Sequence, residues 1–132
     1  MRQRHVLNLC VVTMLGVLCT LASAATITVD DDLSDFPAAD FTNIQDAIDT
    51  AAIGDEVAVY PGTYTSTGQW VINPGGKPIT IRATGTAEET ILDGEGARGV
   101  VQCVGGEGPD TVIEGFTITG GVSGVGGGIY CY

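Results

Sequence analysis

The chain has 132 residues and carries 5 Lys and Arg against 16 Asp and Glu, a formal net charge of −11. So acidic a surface repels phosphate backbones, and nucleic acid is not an expected partner. The 20 glycines show no collagen period, and the β-branched runs between them argue against a disordered chain.

Residues 1–24 read as a secretory signal peptide. Arg2, Arg4 and His5 form a positive start, residues 6–21 an apolar stretch, and Ala22-Ser23-Ala24 an A-x-A cleavage site before Ala25. The apolar stretch is short for a membrane span of about 20 residues, so no span is expected after cleavage. The expected location is extracellular or at the cell surface. Losing Arg2 and Arg4 takes the net charge from −11 to −13 and leaves Lys77, Arg82 and Arg98 as the basic side chains. Such a chain also repels polyanionic sugars unless a divalent cation bridges the two.

Residues 25–55 are predicted as an N-terminal strand and a capping helix. ATITVDDD (25–32) has a strand pattern, apolar at Ile27 and Val29, and ends in Asp30, Asp31 and Asp32. Their spacing is not that of an EF-hand loop, so a solvated turn is expected, with calcium as the functional alternative. Residues 33–40 form a loop broken at Pro37. Residues 42–52 predict a helix, with Thr42 as N-cap and Gln45 completing a capping box. Ile44, Ala47, Ile48 and Ala51 make one apolar stripe, and Gly54 signals the stop.

From residue 56 onward the pattern is short strands between glycine-rich turns. Strands are predicted at 56–60, 69–73, 79–83, 90–92, 100–104, 111–113 and 116–119, with turns at Pro61-Gly62 and Pro74-Gly75-Gly76. TILDG at 90–94 returns as TVIEG at 111–115, 21 residues later. Val57, Ile79 and Val101 are 22 apart, as are Val59, Ile81 and Cys103, while Val71, Leu92 and Ile113 step by 21. A fixed step of this size predicts a solenoid of stacked coils, about 21 residues each. No segment between strands is long and apolar enough to be a crossover helix, so βαβ units are disfavoured.

On these columns Ile72, Asp93 and Glu114 fall in one line. Asp93 and Glu114 would then stack on adjacent coils, roughly 5 Å apart. Such a pair could hold a calcium ion or act as acid and nucleophile. Against that, -DG and -EG are ordinary turn sequences. Cys103 and Cys131 remain after signal cleavage. They could form a disulfide, or serve as free thiols filling small core positions. The one histidine, His5, leaves with the signal, and no zinc spacing or Ser-His-Asp arrangement is present.

FTNIQDAIDTAAIGDEVAVYPGTY (41–64), KPITIRATG (77–85), TILDG (90–94), TVIEGFTITGG (111–121) and GGGIY (126–130) carry a resemblance. Together they look like the N-terminal part of secreted proteins of the pectin lyase-like superfamily. GGGIY is also similar to the Gly-Gly-Ala-Ile repeat of polymorphic outer-membrane proteins, though without its Phe-x-x-Asn. The resemblance implies an all-β, right-handed parallel β-helix solenoid with an N-terminal capping α-helix. It covers turn and core residues shared by lyases, hydrolases, epimerases and proteins without known activity. Two functions are therefore expected. One is a non-catalytic scaffold for adhesion or glycan binding. The other is a polysaccharide lyase or glycoside hydrolase acting on acidic polysaccharide such as pectin, with calcium as cofactor. A lyase would need a base, for which Arg82 is the outward-facing candidate. Residues 56–132 are expected to be the first coils of a longer solenoid, because GGGIYC runs into Tyr132 with no closing segment.

Overall fold

Nine short strands and one helix follow each other in a repeating turn in a computed structural model that describes residues 23–132. All but the last two residues of the expected signal peptide lie outside that span. The elements are β1 (Thr26–Val29), α1 (Ile44–Thr50), β2 (Glu56–Val59), β3 (Gly62–Tyr64), β4 (Trp70–Ile72), β5 (Thr80–Ala83), β6 (Thr90–Cys103), β7 (Val112–Glu114), β8 (Thr117–Gly121) and β9 (Ile129–Cys131).

The strands pair in parallel to make three walls. One wall has the order β1-β2-β5-β7. A second runs β3-β6-β8, and a third β4-β6-β9. The long β6 serves two walls, with a register shift between Asp93 and Arg98 that turns the corner. The described residues thus form a parallel β-solenoid, mostly β, with one short helix, as the sequence predicts.

Each wall contributes an apolar column to a shared interior. Val57 and Ile81 are register partners, as are Ile81 and Ile113. Tyr64, Leu92 and Ile118 line the second wall, and Ile72, Val101 and Ile129 the third. Val57, Ile81, Leu92 and Ile72 are fully enclosed. Each such side chain contributes roughly 1.5–3 kcal/mol by leaving water.

The coil is longer than the expected 21 residues. The observed register steps by 24 and 32 residues along Val57, Ile81 and Ile113, and by 28 and 26 along Tyr64, Leu92 and Ile118. The 21–22 spacing joins strands of different walls. Val57 belongs to the first wall and Val101 to the third, while TILDG and TVIEG lie in the second and first. Because the chain makes three inward strands per coil, apolar residues recur at spacings shorter than a full turn. The sequence reading also misses β3, whose Gly62 follows a proline in what looks like a plain turn; its partners are Thr90, Ile91 and Leu92.

The N-terminal end is sealed. Asn43, not Thr42, caps α1, its side chain accepting the N–H groups of Gln45 at 2.8 Å and Asp46 at 3.3 Å. Gln45 completes no capping box. Its amide reaches Asn73 beyond β4, accepting the Asn73 N–H at 2.8 Å and donating to the Asn73 carbonyl at 3.1 Å. Ile44, Ala47 and Ile48 are buried in the same cluster as Val29, Val57 and Val71. The outer edge of β1 is covered by its own loop. Asp40 N and Phe41 N donate to Thr28 O at 3.0 and 3.1 Å, and Asp30 N donates to Phe41 O at 3.0 Å. The unpaired edge of β1 is thereby removed.

Candidate glycan-contact face

The paired carboxylates expected at Asp93 and Glu114 do not form. Asp93 lies in the second wall, in register with Thr119, and Glu114 in the first, in register with Arg82. The sequence columns placed them together because they crossed walls. Asp93 Oδ1 instead accepts the Glu95 N–H at 2.7 Å, shaping the β6 corner. Glu114 accepts Arg82 Nε at 2.5 Å, and the same guanidinium lies 3.5 Å from Glu56. Arg82, the expected outward base, is thus the centre of an acid–base–acid ladder across β2, β5 and β7. Hydrogen bonding to Glu114, then the nearby Glu56 and Glu114 charges, hold its pKa above the ordinary value.

Asp30, Asp31 and Asp32 do converge, with one carboxylate oxygen of each within 4.8 Å of the others. The solvated turn expected here holds for the exposed Asp32 but not for Asp30. Asp30 is fully enclosed and accepts Phe36 N at 2.5 Å. Asp31 accepts Thr63 N at 3.0 Å and Asp32 accepts Ser34 N at 2.8 Å. Asp31 ties the loop after β1 to β3, while Asp30 and Asp32 hold the loop's own backbone.

Cys103 and Cys131 are register partners on β6 and β9, and among the described residues both are free thiols. Cys103 belongs to the third wall, so it does not share a column with Val59 and Ile81 as the sequence suggested. Burial, with Cys131 adjacent, pushes the Cys103 thiol up to about 11.

One groove with polar and aromatic side chains went unnoticed in the sequence. A groove of about 390 Å³ opens along the third wall, lined by Gln69, Trp70, Arg98, Gln102, Ser123 and Val125 among others. Trp70 stands in register with Gly99 on the next coil, and a Cβ at Gly99 would overlap the indole. Glycine there leaves the trench in which the ring lies. Beyond it the ring of Tyr130 stacks on Trp70, centroids 6.0 Å apart and planes inclined by 20°. Gln102 is in register with Tyr130, and its Oε1 accepts Asn73 Nδ2 at 3.0 Å, which leaves its own amide N–H groups to donate outward. Arg98 is held by Glu95 and donates to Gly68 O at 3.2 Å. An indole edge flanked by amides and a hydroxyl suits a flat polar ring with an apolar face. Trp70 and Tyr130 are 60 residues apart, and only the true coil length brings them together.

Searches of protein-family models, curated proteins and solved structures found no match to this chain. Among the described residues no helix is long and apolar enough to cross a membrane.

Proposed function

We propose that this is an exported, non-catalytic β-solenoid scaffold that binds glycan outside the cell or at its surface. The carrying observation is the Trp70 groove, an aromatic wall with Gln69, Gln102 and Ser123 beside it. Sugar rings present C–H faces that pack on aromatic carbon while their hydroxyls exchange hydrogen bonds with amides. The ligand class is neutral. The three basic side chains of the described residues already have partners: Lys77 in the α1 carbonyls, Arg82 in Glu56 and Glu114, Arg98 in Glu95. With so acidic a surface around them, a polyanionic sugar meets net repulsion.

The test compares neutral oligosaccharides with polygalacturonate, with and without calcium, scoring both binding and bond cleavage. Saturable binding of a neutral glycan without turnover, weakened at least tenfold in Trp70→Ala, is the expected result. Chelator-sensitive cleavage of polygalacturonate would replace this reading with the lyase or hydrolase alternative.

A further inference from the structure

Among the described residues, Ala25 is the first that the fold holds by both its backbone groups. Its carbonyl accepts the Glu56 N–H at 2.9 Å, and its own N–H donates to Asp55 Oδ1 at 2.8 Å. Ser23 and Ala24 are exposed and lie outside any element. The residue held in this way is the one that the Ala22-Ser23-Ala24 pattern makes the first of a processed chain.

Asp55 is set in place to receive it. It lies in the turn between α1 and β2 and is only 8% exposed. Its Oδ2 accepts the Ala52 N–H at 2.8 Å. Its N–H donates to Ala52 O at 3.1 Å, and its carbonyl accepts the Thr80 N–H at 3.0 Å. Among the described residues this carboxylate has no ion-pair partner. A buried carboxylate is costly until its charge is met, and two amide donors meet it only in part.

Hydrolysis of the Ala24–Ala25 bond supplies the missing charge. The C–N bond breaks, and water adds its hydroxyl to the Ala24 carbonyl carbon and a proton to the Ala25 nitrogen. The new carboxyl ionises and the new amine takes up a proton. We propose that the Ala25 α-ammonium so formed pairs with Asp55, so that removal of the leader fastens β1 to the α1–β2 turn through a charge-assisted hydrogen bond. The proposal rests on the export reading above. It requires no movement, because the nitrogen already stands at bonding distance. The charges nearby favour a cation. Asp40 is bonded to Thr28 of β1, α1 carries Asp46 and Asp49, and β2 begins with Glu56. Of the basic groups, Lys77 is turned to the α1 carbonyls and Arg82 lies between Glu56 and Glu114. The pairing raises the pKa of the amine, so its contribution is whole below the ordinary α-amino value and is lost as pH rises through the raised one.

The full chain is expressed with its leader in an exporting host, and intact mass gives the first residue of the recovered protein. The Ala25 amine is then titrated by trace acetic anhydride from pH 6 to pH 11, against a free peptide of sequence ATITV. The expected mass begins at Ala25. The expected midpoint lies above that of the peptide, with at least tenfold lower reactivity at pH 8. Asp55→Asn should bring the midpoint back to the peptide's, and the parent titration decides by itself if that variant does not fold. Burial without an ion pair would slow labelling but lower the midpoint. A first residue other than Ala25 would reject the leader reading and the pairing together. A start at Ala25 with a midpoint at or below the peptide's, or one that Asp55→Asn leaves raised, would reject the pairing alone.

Discussion

The ammonium of Lys77 donates to the main-chain carbonyl of Ile48 at 2.7 Å, across 29 residues of sequence. It also donates to Asp49 O at 2.8 Å and Ala51 O at 3.0 Å. One side chain from the turn before β5 therefore closes the carbonyl end of α1, where a positive charge also meets the negative end of the helix dipole. Lys77→Met keeps the aliphatic stem and removes the donors. It is expected to cost about 1–2 kcal/mol in urea unfolding. An unchanged midpoint would remove this cap from the list of forces holding the N-terminal end.

Thr90 begins β6 fully enclosed, and its Oγ1 has no hydrogen-bond partner among the described residues. A buried hydroxyl without a partner costs free energy that a methyl group does not. Thr90→Val should therefore stabilise the protein, by about 1 kcal/mol. A lower melting temperature in the variant would mean that the hydroxyl is satisfied after all.

Stability should fall at both ends of the pH scale, for identifiable reasons. Backbone N–H donation from Ala25 and then Ala52 lowers the pKa of Asp55, and the Thr28 backbone and hydroxyl lower that of Asp40. Their contribution is present above the ordinary carboxylate pKa and disappears as pH falls through the lowered values. Burial and the neighbouring Asp31 raise Tyr64, and burial with Cys131 raises Cys103 to about 11. These two contribute below their ordinary pKa values, and that contribution is lost as pH rises toward the raised ones. Thermal melts from pH 3 to pH 11 should show a plateau near neutrality. Asp55→Asn should flatten the acid limb, and an acid limb as steep as in the parent would count against the assignment.

Cys103 and Cys131 sit opposite each other on parallel strands, whose backbones are about 4.8 Å apart, within the Cα separation that a disulfide spans. Excess oxidised glutathione at pH 8 is expected to link them intramolecularly, seen as a mass loss of two hydrogens. The link would close a loop between residues 103 and 131 and stabilise the last coil by about 3–4 kcal/mol. The raised Cys103 pKa makes the reaction faster at higher pH. Mixed glutathione adducts without the internal link would show that the two sulfurs do not face each other.

The helix and the strands other than β3 were legible because they are local. The i, i+3, i+4 stripe of Ile44, Ala47 and Ile48 and the β-branched runs between glycines need no knowledge of distant residues. Register was not legible, because turn lengths vary from coil to coil and only wall-to-wall pairing fixes which residues align. That one error carried the false Asp93–Glu114 stack and hid the true Arg82–Glu114 pair. The N-cap moved one residue because Asn43 is as good a cap as Thr42 and sits nearer the first buried residue, Ile44. Trp70 and Tyr130 carried no signal either, since neither lies in a recognisable spacing until the coil length is known.

Trp70 is the single tryptophan of the chain, so tryptophan emission reports on the groove it lines. Titration of neutral oligosaccharides into the protein should produce a saturable change in its emission, absent when Gln102→Ala and Tyr130→Ala are combined. Emission that stays constant to millimolar concentrations across gluco-, manno- and galacto-oligosaccharides would contradict glycan binding at this face.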